Sequence, residues 1–368
     1  MTKKIILLII LADVLVMALV FSVSGFYNGS VDTEEYVGQI RYQGGEDEVL
    51  SEAVKMRLFK PMYGVIGAAL LPIVEPETSI LFTNISFFVG LSIAFFFFLK
   101  FLQFGEATSF VGTLWLISGY PLLKYGLALG TDMSGWFFAV LAGVLGLAGL
   151  KTGKFWPLVL SSIAGFIGFL GKETGILGLG FVGLSVLFSW DRNKAGLFFK
   201  RLVAISLPFV LLEGIYMIYL FSNGIPTFFD WYRVDGEDTK IFQTIPYFTG
   251  IEVAAFHILF LFASAGIFFA IREKEFLTKQ WLAKFLPLLI VSLPVILWPI
   301  YTTRIIYSQF FFIIPMALYG VDKFLSKISL EPRRRTMAIL IAALPVLISV
   351  ALFIIARGRS LFILFNLI

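Results

Sequence analysis

Residues Gly29 to Pro61 read GSVDTEEYVGQIRYQGGEDEVLSEAVKMRLFKP, a charged island set directly after a hydrophobic segment in an otherwise oily chain. It carries Asp32, Glu34, Glu35, Glu46, Asp47, Glu48 and Glu52, followed by Lys55, Arg57 and Lys60. Charge this dense between apolar runs belongs at an aqueous face, because charged side chains are costly in a bilayer core. The island therefore reads as a loop between membrane spans, and as the place where chemistry is expected.

The rest of the composition agrees. Hydrophobic residues fill 59% of 368 positions, charged residues 14%, and phenylalanine alone 42 positions, a balance outside the range of soluble domains. Many runs reach the roughly 20 apolar residues that cross a bilayer. The expected class is all-α, a polytopic integral membrane protein forming a single domain over residues 1–368. The absence of cysteine excludes disulfides, thiol-attached haem and Cys-ligated metal. The net charge of +5 reflects where Lys and Arg sit relative to the bilayer, and no nucleic-acid partner is expected.

Outward from the island, Lys3 and Lys4 precede an apolar run from Ile5 to Val23. Ser22-Val23-Ser24 resembles a small-x-small cleavage site, but the length of the run and Asp13 within it favour an uncleaved first helix. After the island, Met62 to Val74 is apolar over only about 13 residues, too short to cross and suited to an interfacial helix. Spans are expected near 79 to 99, 107 to 127, 133 to 150, 155 to 171, 175 to 190, 202 to 221, 248 to 270, 285 to 302, 305 to 321 and 336 to 356. With the first helix this makes about eleven crossings. Residues 24–78 then form a first outer loop and 222–247 a second longer one.

Alternation places Lys100, Lys151, Lys154, Lys194, Lys200, Arg201, Arg272, Lys323 and Arg333 to Arg335 on the same side as the amino terminus. The acids gather on the opposite side. By the positive-inside tendency, the amino terminus is cytoplasmic and the island faces outward. The second loop, NGIPTFFDWYRVDGEDTKIFQTIPYF, mixes aromatic residues with Asp230, Arg233, Asp235, Glu237 and Asp238. It reads as a solvated loop with an interfacial aromatic belt, or as a flap over a site shared with the first loop.

Four outward features recur at helix mouths: Asp32, Thr131-Asp132, Gly171-Lys172-Glu173, and Arg304 with Tyr307. Carboxylates beside cations at a membrane surface suit a reaction in which a hydroxyl attacks and a phosphate leaves. Taken singly, each charge reads equally as a helix end at the headgroups.

Their order resembles the GT-C superfamily of membrane glycosyltransferases, in the branch of protein O-mannosyltransferases and lipid A aminoarabinose transferases. The resemblance rests on Asp32 and Tyr36 ahead of VGQIRYQGG, on KPMYGVIGAALL from Lys60, on Thr131-Asp132, on GFIGFLGKETGIL, and on Arg304, Tyr307 and Pro315. It spans positions 5 to 320.

This resemblance implies transfer of a sugar from a polyprenyl-phosphate donor to a lipid, glycan or protein acceptor on the extracytoplasmic face of the cell membrane. Asp32 would be the general base or the carboxylate orienting the acceptor hydroxyl, with Asp132 and Glu35 as further site carboxylates. Lys60 would contact the donor phosphate, with Arg57, Lys172, Arg304 and Tyr307 as further phosphate-binding residues. An ordinary aspartate, near ~3.9, is a poor base at neutral pH; burial beside Glu34, Glu35 or Asp132 would raise it. The sequence has no His-rich or multi-Asp cluster, so no metal or other cofactor is expected, although the aspartates leave room for a divalent ion as in oligosaccharyltransferases of the same superfamily.

A polyprenyl donor cannot leave the bilayer, so its phosphate is met at headgroup depth, where Lys60 and an interfacial helix would lie. Asp13, Glu213 and Glu252, in or near spans, support a second class: a proton-coupled transporter or a lipid-linked sugar flippase. A non-catalytic assembly partner is a third. His257, the only histidine, reads as a packed, hydrogen-bonded residue before it reads as a catalyst.

Overall fold

The computed structural model describes residues 2–30, 32–46, 51–190, 192–237, 245–294 and 302–356. Among these the secondary structure is helical, apart from one isolated parallel bridge between Gly29 and Leu129. Six helices among the described residues are long and apolar enough to cross a membrane: Thr2–Ser24, Pro76–Phe101, Asp132–Thr152, Ala195–Ser222, Thr303–Ser326 and Glu331–Ala356. A seventh crossing results if Gly250–Phe256 and Ile258–Arg272, bent by 98°, count as one span. The chain is an integral membrane protein.

The apolar stretches read from the sequence all fall on helices, but several are shorter than a crossing. Those at 107 to 127, 155 to 171 and 175 to 190 overlap the helices Glu106–Ile117, Trp156–Gly171 and Leu177–Phe188, of 12 to 16 residues, and the stretch at 285 to 302 begins within Lys279–Ser292. The first ends at Ser118-Gly119, and the second at the charged Lys172-Glu173 turn. Hydropathy averages across an interruption such as Ser118-Gly119, whereas the backbone does not. Residues 295–301 of the last stretch lie outside the described residues.

The chain clusters into two units, each drawn from separated stretches. The first comprises Met1–Ser24, Phe95–Lys124 and Phe242–Ile368. Its helix Phe310–Ser326 is buried from Phe310 through Leu318, with Ile258–Arg272 packed on it. The chain enters Ile258–Arg272 through His257, whose φ of 37° turns the backbone sharply. The His257 imidazole Nε2 lies 2.5 Å from Ser349 Oγ, in keeping with the packed role expected of it.

The second unit comprises Gly25–Ala94 and Tyr125–Ile241. Its core is Asp132–Thr152 packed beside Trp156–Gly171 and Leu177–Phe188. Glycine makes this approach possible. A Cβ on Gly178 would stand 1.7 Å from the Ala139 carbonyl oxygen, and one on Gly135 would stand 2.2 Å from Thr174 Oγ1. The close approach at Gly135 seats the Lys172–Gly175 turn against the first turn of Asp132–Thr152.

The charged island folds onto the same unit. Thr33–Gln43 is helical because Tyr36, Gln39 and Ile40, at helical spacing, bury one face while Glu34 and Arg41 stay exposed. Its first-turn acids suit the positive end of the helix dipole, and Gly44 with Gly45, at φ 79°, ends it. It packs against Met62–Leu70, which buries Met62, Tyr63, Gly64 and Gly67. This is the short helix read from the sequence at Met62 to Val74. Asp47 and Glu48 lie outside the described residues.

Candidate active site

Asp32 precedes the Thr33–Gln43 helix, but its side chain makes no capping hydrogen bond. It turns instead to Arg57, whose guanidinium Nη2 donates to Asp32 Oδ1 at 3.0 Å. Glu35, three residues on and so on the same helix face, receives the Nε of the same guanidinium. The sequence led to the expectation of acids around Asp32. Its observed partner is a cation returned by the chain 25 residues later, and Glu34 is exposed.

The Arg57 to Lys60 turn is placed by Gln39, which is fully buried and donates from Nε2 to the carbonyls of Arg57 and Lys60 at 3.4 and 3.2 Å. Lys60 is 1% exposed, and its ammonium meets Glu173 Oε2 at 2.6 Å. Lys172 continues the chain of charge, 3.4 Å from Asp132 Oδ1 and 3.8 Å from Glu173 Oε1. Burial pulls the Lys60 ammonium down to about 8 despite the carboxylate beside it. Burial alone would raise Glu173, in the turn between two short helices, but Lys172 and Lys60 hold it down to about 2.

Two further connections join these groups. Thr131 Oγ1 donates to the buried Tyr36 hydroxyl at 3.2 Å, and that hydroxyl lies within electrostatic reach of Lys172, Arg57 and Asp32. From the second loop, the helix Phe228–Glu237 lays the Trp231 ring over the Lys60 ammonium at 4.7 Å and the Arg57 guanidinium at 5.8 Å. Residues 238–244 of that loop, Asp238 included, lie outside the described residues.

The approach to Asp132 is fixed by hydrogen bonds. Ser30 and Thr33 hydroxyls donate to the Leu129 carbonyl. Asn84, inside the helix Pro76–Phe101, donates to the carbonyls of Ala128 and Gly130 at 2.7 and 3.0 Å and accepts from the Tyr63 hydroxyl at 2.5 Å.

Asp32, Glu35, Arg57, Lys60, Asp132 and Lys172 are thus brought together within one unit. Arg304 and Tyr307 belong to the other. There Tyr307 is fully buried, donates to the Leu116 carbonyl at 2.6 Å and stacks on Phe256. Sequence reasoning assigned no role to Gln39, Asn84, Trp231 or Glu173. Glu173 alone had a signal, standing beside Lys172 in the quoted GKE motif.

The carboxylates face cations rather than one another, and among the described residues no group of three or more acids or histidines is placed to hold a metal ion. A separate apolar cavity of about 280 Å³ is lined by Phe59, Phe169, Phe209, Phe228 and Glu213, among others. Phe59 places its wall next to Lys60 in the chain.

No family model and no curated protein sequence matches the chain. Solved structures do. The apo oligosaccharyltransferase of Archaeoglobus fulgidus superposes with a TM-score of 0.63 at 14% identity, covering 97% of this chain and 56% of that one. The chain shares that fold. The same archaeal enzyme, AglB, in complex with an inhibitory peptide and a dolichol-phosphate, gives 0.59 at 13% identity over 93% of this chain and 55% of that one. ArnT from Cupriavidus metallidurans, bound to undecaprenyl phosphate, gives 0.58 at 14% identity over 95% and 72%. The chain spans about half the length of the oligosaccharyltransferase, so the GT-C likeness concerns the architecture, not a substrate.

Proposed function

We propose that the protein is a glycosyltransferase that moves a sugar from a polyprenyl-phosphate-linked donor to a lipid, glycan or protein acceptor, on the extracytoplasmic face of the membrane. The observation that carries this reading is the Lys60–Glu173 contact beside the Asp32–Arg57 pair: buried cations beside buried carboxylates, on a fold whose neighbours were solved with polyprenyl phosphates.

The chemistry follows from the groups present. An acceptor hydroxyl attacks the anomeric carbon of the donor sugar, the bond from that carbon to the phosphate oxygen breaks, and the polyprenyl phosphate leaves with the electron pair. The hydroxyl proton passes to a carboxylate, with Asp32 first in line and Asp132 second. Lys60, Arg57 and Lys172 meet the charge that develops on the departing phosphate. Charge among buried groups such as Lys60 and Glu173 acts more strongly than at a wet surface. The apolar cavity beside Phe59 suits the isoprenoid tail.

The test is release or transfer of labelled sugar from a panel of polyprenyl-phosphate sugars by wild type and Asp32→Asn in nanodiscs. Turnover by wild type alone is expected. Equal turnover by both removes Asp32 from the chemistry, and donor-independent proton uptake by liposomes would favour a transporter.

A further inference from the structure

A second cavity, of about 420 Å³, lies within the same unit, inside the ~300–1,000 Å³ range of small-molecule sites. Tyr42, Gln43, Lys55, Tyr216, Tyr219 and Asn223 supply its chemistry. The rings of Tyr216 and Tyr219, three residues apart on Ala195–Ser222, stand 6.1 Å apart and nearly parallel, at 19°. They stack, and Tyr219 is 54% exposed. Gln43 Oε1 is buried and has no hydrogen-bond partner among the described residues. Lys55, the cation of the wall, is already paired with Glu52 at 2.6 Å.

This lining discriminates between ligand classes. An anion would compete with Glu52 for its one charged contact. An apolar chain would leave the buried Gln43 Oε1 unpaired. A sugar ring satisfies both halves, with its C–H face against tyrosine and its hydroxyls on amides that both donate and accept. We propose that this cavity is a saccharide-binding subsite. It borders the donor-phosphate region. Leu58 and Pro61 line it on either side of Lys60 in the chain, and the Tyr216 hydroxyl donates to the carbonyls of Phe59 and Leu58 at 3.2 and 3.4 Å. The inference rests on the transfer reading for what the bound sugar is used for, but not for the binding itself.

The test is saturation-transfer NMR on the full chain in nanodiscs with hexoses, N-acetylhexosamines and disaccharides, alongside binding of polyprenyl phosphate with and without its sugar. At least one saccharide binds wild type and Lys154→Ala, a control at an exposed residue away from the cavity, and binds Tyr219→Ala and Gln43→Ala about tenfold more weakly, the loss of one stacking or hydrogen-bond contact. If Tyr219→Ala also weakens the sugar-bearing lipid but not the bare lipid phosphate, the subsite holds the donor sugar; if it weakens neither, the subsite holds an acceptor glycan. No signal from any saccharide, or signals equal in all four proteins, overturns the subsite. Failure of wild type to bind any polyprenyl phosphate while saccharide signals persist would instead remove the transfer reading and leave the subsite standing.

Discussion

The Lys60 ammonium meets the Glu173 carboxylate at 2.6 Å with both side chains almost wholly removed from water, at 1% and 5% exposure. Each neutralises a charge the other could not keep buried alone. Removing one partner from such a pair typically costs ~3–5 kcal/mol, whereas replacing both with apolar groups of similar volume is often neutral. Lys60→Met and Glu173→Leu should each lower the thermal midpoint clearly, and the double variant should recover most of the loss. Single variants as stable as wild type would mean that the pair carries no such mutual dependence.

Asp32 and Arg57 form the second charged pair. Asp32→Asn should leave the helix Thr33–Gln43 intact, because the side chain makes no cap there, and should lower sugar transfer by at least ~10²-fold, the usual scale for a lost acid–base group. Arg57→Lys should also impair transfer, since an ammonium does not reproduce a planar fork shared between Asp32 and Glu35. Circular dichroism checks the fold and labelled-donor turnover checks the chemistry.

Lys60, drawn down to about 8, is charged below that pH and neutral above it, well before an ordinary lysine at ~10.4. Affinity for polyprenyl phosphate should therefore fall as pH rises through about 8 in wild type and stay flat there in Lys60→Met. Glu173 behaves in the opposite sense. Its lowered value contributes stability that is fully present above an ordinary glutamate's ~4.3 and is lost as pH falls toward about 2. Acid titration of the thermal midpoint, wild type against Glu173→Gln, reads that window.

Gly178→Ala places a methyl where a Cβ would stand 1.7 Å from the Ala139 carbonyl oxygen. That obstacle is backbone and cannot rotate away, so a loss of ~1–3 kcal/mol or more is expected, with Leu177–Phe188 displaced from Asp132–Thr152. Differential scanning fluorimetry measures it; an unchanged midpoint would mean that the two helices part freely.

The helical class, the island and the residues that converge in the second unit were legible because charge stands out against 59% hydrophobic composition. What completed the cluster was not. Glu173 reaches Lys60, and Trp231 reaches both Lys60 and Arg57, across long stretches of chain; no local pattern encodes a partner so remote. Gln39 and Asn84 read as ordinary polar residues until the carbonyls they hold are known. Helix lengths were harder to read: the helix Glu106–Ile117 ends at Ser118-Gly119, small residues that barely alter the hydropathy around them.

Asn84 sets a tolerance. A single carboxamide holds the carbonyls of Ala128 and Gly130, so the spacing of the chain entering Asp132 is gauged by the length of one side chain on a membrane helix. Aspartate there would turn two donors into an acceptor facing two acceptors, and glutamine would lengthen the gauge by one methylene. An alteration so small, at a residue outside the charged cluster, would pass for an active-site lesion, and inherited or ageing damage to this protein would be easy to assign to the wrong place.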